Sequence, residues 1–465
     1  FKQKTAYEIK ECDWSSDVCS SDLVGADGSA ITLEGGGVIR MKLDGTQLEV
    51  VSSGTRNHLD VAMDSLDNIF SYDNTDDGLG WWTRFTHHVP TGYYGYPYDY
   101  LKKDGGGQSV NLRRHLPRLS EHGGGSPVGA ACYREAAWPA TYVDSPFFCE
   151  WGKQKVQRFK LKKKGASFEA EIEDFLVKDD SSEPFRPLDL TFSPDGKHMY
   201  LADWNYNGWV NPAVKGRLYR VTYVGNEPAA NNEPPRATKN ASIDQLVASL
   251  GHPSHAERMQ AQFAIAKQPA NVAVPALRRV ITTQDSAPRA KVHAIWAMHA
   301  IATANPNAPL PADLHWDEAL KDADASVRAQ AVRAIGMGRG DAYKLHALLS
   351  DSDPTVRLQT AVAIGRYGNR QLDAKWKSTD SGQPGVVVPR ESETELSELQ
   401  HGCEDCAIVL AKSLGDDDEY VQHAVIQALR VINHWLDFDS ALTSENPPIR
   451  DRKSTRLNSS HIPLS

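Results

Sequence analysis

The sequence predicts a multidomain chain, a partial all-β propeller followed by an all-α solenoid of paired helices. Three observations carry this: a strand–turn–strand unit that recurs in the first half, a helical unit that recurs in the second, and a Pro- and Asn-rich stretch between them. At 465 residues with 40% hydrophobic and 24% charged content, the chain has apolar material for more than one core. Wholesale disorder is excluded.

Residues 24–225 are rich in Gly, Asp, Tyr and Trp, with short alternating runs bounded by turn residues, as an all-β region requires. Leu59–Asp73 returns as Leu188–Asp203, each copy a strand, an Asp-containing turn and a strand. A second unit, Val38–Gly45, recurs loosely at Val156–Leu161 and Arg217–Val221. The first unit repeats after 129 residues, about three blades at a typical length of about 43 residues. That spacing predicts part of a β-propeller.

Residues 226–241 turn to Pro, Asn and Glu without apolar period and read as a linker. From 242 to 450 the period is helical. Asp324–Gly336 is echoed by Asp353–Gly365, with Asp suited to an N-cap, Pro354 to a first turn and the closing Gly336 and Gly365 to C′ positions. Weaker copies lie at Ser254–Ile265, Ala287–Ile301 and Asp416–Ile432, and Ile243–Leu250 reads as a preceding helix. Each helix has one apolar stripe that needs a neighbour. The series resembles HEAT repeats, helix pairs that stack in one dimension. Around 377–398 a Ser-, Pro-, Gly- and Glu-rich stretch is expected to form a mobile insertion.

Both ends are expected to be foreign to the fold. Asp13–Leu23 and Asp451–His461 back-translate to complementary strands of one short-read sequencing adapter, so 1–23 and 451–465 read as adapter-derived and Val24–Arg450 as a metagenomic fragment of a longer chain.

Chemistry enters at Gly54–Asn57, a G-x-R-N run. It is followed by a strand pair ending at Asp73–Asn74, by Gly92–Pro97, and by Arg186–Asp189 with Ser193–Gly196. In that order these motifs resemble the glucose/sorbosone dehydrogenase propellers, which use pyrroloquinoline quinone (PQQ). Joined to HEAT repeats, they resemble the membrane-bound dehydrogenases of planctomycete-type bacteria. The resemblance implies an oxidoreductase acting on a sugar or alcohol, a cytochrome c electron acceptor with haem c only in a domain outside this sequence, a protein partner on the HEAT surface, and a periplasmic or cell-envelope location. The alternative is a non-catalytic propeller/HEAT interaction scaffold, since fold does not dictate function.

A cofactor with three carboxylates and an ortho-quinone calls for fixed cations and amides. The resemblance assigns these to Arg56 and Asn57, with Arg186 and Asp189 lining the same channel; an Arg-Asn turn cap and a blade-to-blade ion pair are the structural alternatives. A base near neutrality is also needed. In the resembled family it lies in a preceding blade, upstream of Val24, leaving His58, His87 and His88 as candidates and the fragment by itself inactive. Asp73, Asn74, Asp76 and Asp77 form an oxygen cluster suited to Ca²⁺, or else a solvated turn.

The remaining signals exclude more than they assign. A net charge of −9 without a long basic run excludes a nucleic-acid footprint. No apolar stretch of about 18 residues exists to form a transmembrane segment. Cys403 and Cys406 are followed by Ala407 rather than His, so they attach no haem, and with His401 they lack a fourth zinc ligand. Gly123–Gly129 misses the spacing of a nucleophile elbow, Lys160–Lys164 reads as a solvated turn, and Trp296 and Trp435 as core.

Overall fold

The computed structural model describes residues 20–74, 82–96, 115–179, 185–205, 215–230, 240–304, 316–338, 342–379 and 404–432. The first half is all-β, as expected. β1 (Ser20–Val24) and β2 (Ala30–Glu34) form a hairpin, and β3 (Gly36–Arg40) and β4 (Glu49–Thr55) a second one. β1 reaches back into the segment read as adapter-derived. Its pairing rests on backbone bonds, with Leu23 and Val24 left exposed.

Two four-stranded antiparallel meanders and a three-stranded one follow. The first contains β5 (Ala62–Met63), β6 (Ile69–Asn74), β7 (Thr83–His88) and β9 (Ser120–Glu121), while β8 (Gly92–Tyr93) runs parallel to β4. The second is β10 (Pro127–Tyr133), β11 (Ser145–Glu150), β12 (Lys155–Lys164) and β13 (Ser167–Val177). The third is β14 (Pro187–Phe192), β15 (His198–Asn205) and β16 (Lys215–Thr222).

The middle meander is sandwiched. Phe70, Tyr72 and Phe85 of the first pack on Phe148 and Phe159, with Phe85 and Phe159 stacked at 3.8 Å, while Phe147, Cys149 and Val156 pack on Leu190, Met199 and Leu201 of the third. Sheets stacked face to face in chain order, with β5 and β14 both against β10, have the arrangement of successive blades. The two copies of the first repeat are β5–β6 and β14–β15. They stand two sheets apart rather than the expected three, because the ten- and eleven-residue strands β12 and β13 and the long β8-to-β9 connection lengthen each unit.

The second half is helical. α1 (Ile243–Ser249), α2 (His255–Ala266), α3 (Ala270–Thr282), α4 (Pro288–Ala304), α5 (Ala325–Met337), α6 (Pro354–Thr379), α7 (Glu404–Lys412) and α8 (Glu419–Ile432) pack in sequence. The N-caps hold as read: Asp324 accepts from the Ser326 and Val327 amides and Asp353 from Thr355. The closing glycines do not. Gly336 and Gly365 lie inside α5 and α6, where a Cβ would come within 2.6 Å of the Ala363 Cβ and 2.9 Å of the Ala428 Cα. They let neighbouring helices touch backbone to backbone, which local sequence cannot distinguish from a helix end. Trp296 packs against the solenoid core and donates to Gln330. Trp435, most of the 226–241 linker and nearly all of the 377–398 insertion lie outside the described residues.

A ladder of ion pairs joins the repeats. Lys291 reaches Asp322 at 2.7 Å, Arg328 grips Asp351 through two bonds of 2.8 and 2.7 Å, and Arg357 grips Asp416 through two of 2.6 and 2.9 Å. Each arginine also donates backward to carbonyls of its own turn, Arg328 to Asp322 and Ala323, Arg357 to Asp351 and Ser352. Burial works against ionisation at Asp351, but the Arg328 bonds override it and hold the carboxyl below its ordinary value. Arg328→Ala leaves that carboxylate nearly buried without its cation, so we expect a loss of about 3 kcal/mol in chemical denaturation; a change near zero would show that the ladder is not structural.

Strand direction separates two sides of the β-domain. The turns after β5, β7, β10, β12 and β14 project to one side, where the solenoid lies. Leu66 accepts from Gln330, Asp67 pairs with Arg333 at 3.1 Å, Glu135 accepts from the Ala256 amide, Thr91 meets His423, and Asp418 takes the Ala166 amide at 2.8 Å. Val89, Tyr94, Leu116 and Ala166 share a core with α6, α7 and α8. Lys163, read as part of a solvated turn, donates to Thr355 across this join. The opposite side carries the entries to β5, β10 and β14. None of these contacts with the solenoid falls on it, and among the described residues it is the open side.

Candidate functional site

The open side repeats one device in three sheets. An acid at the end of the second strand accepts the backbone N–H that leads into the first: Asp73 from Arg56 at 2.9 Å, Glu150 from Ser126, and Asp203 from Arg186 at 2.6 Å. All three acids are buried. In the outer two sheets a third-strand arginine faces the acid, Arg84 toward Asp73 and Arg217 toward Asp203. These clasps set the height of the loops that carry the candidate residues.

The first clasp is the most developed. Arg84, 1% exposed, donates to both Asp73 oxygens at 2.9 and 3.2 Å, to the Gly54 carbonyl at 2.8 Å and to the Tyr94 carbonyl at 2.7 Å. Gly54 accepts this because its φ is +82° and a Cβ there would meet the Tyr94 and Gly95 nitrogens at 2.7 Å. The G-x-R-N run is thus fixed at both ends. Arg84 is a positioning residue that the sequence reading missed; an arginine between Trp, Thr and Phe carries no local sign of its partners.

Arg56 is half-buried and Asn57 exposed, and with its amide oxygen and nitrogen exchanged Asn57 donates to the Asn74 carbonyl at 3.1 Å and accepts from the Arg56 guanidinium at 3.3 Å. His58 turns inward beside them. Burial lowers its pKa, with Asp73 opposing and Arg84 assisting, so the ring is neutral at pH 7. It hydrogen-bonds the Gly37 backbone, and its Nδ1 is buried without a partner among the described residues.

His88 lies 5.6 Å from the His58 ring, with Nδ1 on the Ser52 hydroxyl at 2.7 Å and Nε2 on that of Ser71 at 2.6 Å. His87 points to the other face of its strand, bonded to Ser167 and packed against Phe70 and Phe168. Burial pushes His87 down to about 3 and His88 well below the usual range. Both are buried, hydrogen-bonded interior residues, and only His58 of the three adjoins the Arg56–Asn57 loop.

Arg186 occupies the corresponding place on the third sheet, stacked 4.2 Å from the Trp151 ring and donating to the Trp151 carbonyl at 3.0 Å. Asp189 is exposed; one oxygen accepts from the Leu190 amide, and its main chain presses on Gly129 of β10. The structure therefore makes no Arg186–Asp189 pair, and Arg186 turns to Trp151 instead. Asp73 spends both oxygens on Arg84 and Arg56, and Asn74 donates to the Gly125 carbonyl. Asp76 and Asp77 lie outside the described residues, and among those described no group of three acids, histidines or cysteines could hold a metal ion. The described part of the expected Ca²⁺ cluster does not fit a cation. Cys406 is disulfide-bonded, while Cys403 and His401 lie outside the described residues.

Residues 16–224 match the model of a domain of unknown function, DUF7133, and residues 315–381 match the HEAT-repeat model. The helical half is a HEAT-repeat solenoid. No curated protein matches the chain. Among solved structures, the PQQ-bound aldose sugar dehydrogenase of Streptomyces coelicolor is similar at 20% identity and a TM-score of 0.29, over 43% of this chain and 60% of that one. The PQQ domain of pyranose dehydrogenase from Coprinopsis cinerea is similar at 14% identity and 0.22, over 34% and 54%. The complex of CpcE and CpcF of phycocyanin lyase from Nostoc sp. PCC7120 is similar at 21% and 0.27, over 40% and 96%. The chain thus spans about three-fifths of the aldose dehydrogenase. No helix among the described residues is long and apolar enough to cross a membrane.

Proposed function

We propose that the open side of the β-domain is the cofactor and substrate side of a quinone-linked sugar or alcohol dehydrogenase. The observation that carries this is the Arg56–Asn57–His58 loop: a guanidinium and an amide at the surface, and beneath them a neutral imidazole whose Nδ1 has no partner among the described residues. PQQ, when bound, would accept the hydride of a carbinol carbon. Arg56 and Asn57 suit its carboxylates, and Arg186 offers a further cation on the same side. His58, already neutral, can take a hydroxyl proton without first losing one. Asp73 and Arg84 hold the loop in place.

In this reading electrons pass to a cytochrome c, the protein belongs to the periplasm or cell envelope, and the solenoid offers its surface away from the β-domain to a protein partner, as HEAT repeats commonly do. The test is titration of the protein with PQQ, followed by quenching of tryptophan fluorescence. Saturable binding, weakened about tenfold by Arg56→Ala and unchanged by His58→Gln, is expected. Absence of binding, or equal binding by Arg56→Ala, sinks the proposal. His58→Gln should lower dye reduction with aldoses or alcohols about 100-fold or more.

A further inference from the structure

A half-open chamber lies on the solenoid side. It measures about 860 Å³ and is bordered by turns of the first two meanders, the outer half of β12, Glu227 beyond β16, and the beginnings of α5 and α6. None of the residues offered for the open side lines it. Its size falls within the range of small-molecule sites, which favour domain junctions.

The wall has two characters. Leu66, Tyr142, Leu161, Phe168 and Ala329 give it an apolar part. The rest mixes charges of both signs: Arg158, Lys160 and Lys163 stand among Asp64, Asp144, Glu173, Glu227 and Asp353. The cations are already matched from within. Arg158 binds Glu173 and the Ser145 hydroxyl and covers the Tyr142 ring, Lys160 lies 3.5 Å from Glu173, and Lys163 meets Thr355. Asp64 and Asp144 accept amide and hydroxyl hydrogens from Leu66, Asn68 and Ser65.

This wall discriminates among ligand classes. An anion would face five carboxylates, and a cation would face three fixed positive groups. An apolar ligand would strip water from both sets without replacing it. A molecule whose every hydroxyl donates and accepts can bond carboxylate and ammonium alternately, while its C–H face lies on the apolar part. We propose that this chamber binds a neutral, hydroxyl-rich molecule, a sugar or sugar alcohol, at a site separate from the open side. Because β-sheet turns and helices of the solenoid both contribute walls, occupancy would fasten the two halves of the protein to each other.

The test is calorimetric titration of the 465-residue protein, free of PQQ, with D-glucose, sorbitol and trehalose. At least one should give a saturable single-site isotherm. Lys163→Met, which removes a donor, and Ala325→Trp, which fills the chamber, should each weaken it about tenfold while circular dichroism stays unchanged. Arg56→Ala should leave it intact, so failure of the redox reading and failure of this one are told apart. No saturable binding by any of the three, binding that both chamber variants leave untouched, binding that Arg56→Ala abolishes, or capture of inorganic phosphate or spermidine in place of the sugars would overturn the proposal.

Discussion

Mild acid should destabilise this protein strongly, by about 4 kcal/mol between pH 7 and pH 5. Burial holds His87 and His255 down to about 3 and His293 to about 2. Each accepts its proton in the unfolded chain near pH 6.5 but not in the folded one until far lower. The stability each contributes is therefore complete above pH 6.5 and is lost as the pH falls toward its folded value. At pH 5 that is about 2 kcal/mol per ring, or about 6 kcal/mol for the three. His88 acts in the same direction. Asp64 opposes them: burial and the neighbouring Asp144 raise its carboxyl to about 7, so its stabilisation grows as the pH falls from 7, by about 2.3 kcal/mol at pH 5. The remainder is a large fraction of the total stability of a domain. Denaturant midpoints measured from pH 7 to 5 should fall steeply, and His293→Gln should flatten the slope by about one ring's share. A midpoint constant over that range would mean that these rings are reached by water.

The second large effect belongs to Arg84. Methionine there removes four hydrogen bonds at once and leaves the Asp73 carboxylate buried with no cation, a change that costs about 3 to 5 kcal/mol. Asp73→Asn should cost less, because the amide oxygen still accepts from Arg84. The double variant Arg84→Met/Asp73→Leu should recover part of the loss, since a buried pair replaced by apolar groups no longer strands a charge. Equilibrium unfolding decides this. A double variant no better than the sum of the singles would show that the pair is not coupled. Arg84→Met should also release the Arg56–Asn57–His58 loop, read as faster amide exchange at Arg56.

Legibility followed the range of the interaction. Alternation and turn residues mark the β region, and the Asp-capped helical unit marks the solenoid, because both are local periodicities with local caps. Gly336 and Gly365 sit where a C-cap glycine would, yet serve contacts with Ala363 and Ala428, and only packing separates the two uses. The ion-pair ladder was hidden for the same reason: Arg328 and Arg357 lie within their repeat motifs, but their carboxylates, Asp351 and Asp416, belong to the turn before the next repeat helix. At the open side the Arg56–Asn57 pair could be picked out from its motif. That Asp73 belongs to Arg84, and that His87 and His88 are satisfied by serines from other strands, depends on register and could not be read from spacing.

The one-sided join of sheets to solenoid has a consequence for how such a chain can vary. The connection that leaves β11 makes its contacts with Arg186 and Trp204 of the neighbouring sheet, away from the helices, whereas a single added residue in the turns after β5 or β12 would push against α5 or against the segment ahead of α8. Diversity should therefore collect on one rim of the β-domain and be scarce on the other, so that new recognition can arise without refitting the scaffold.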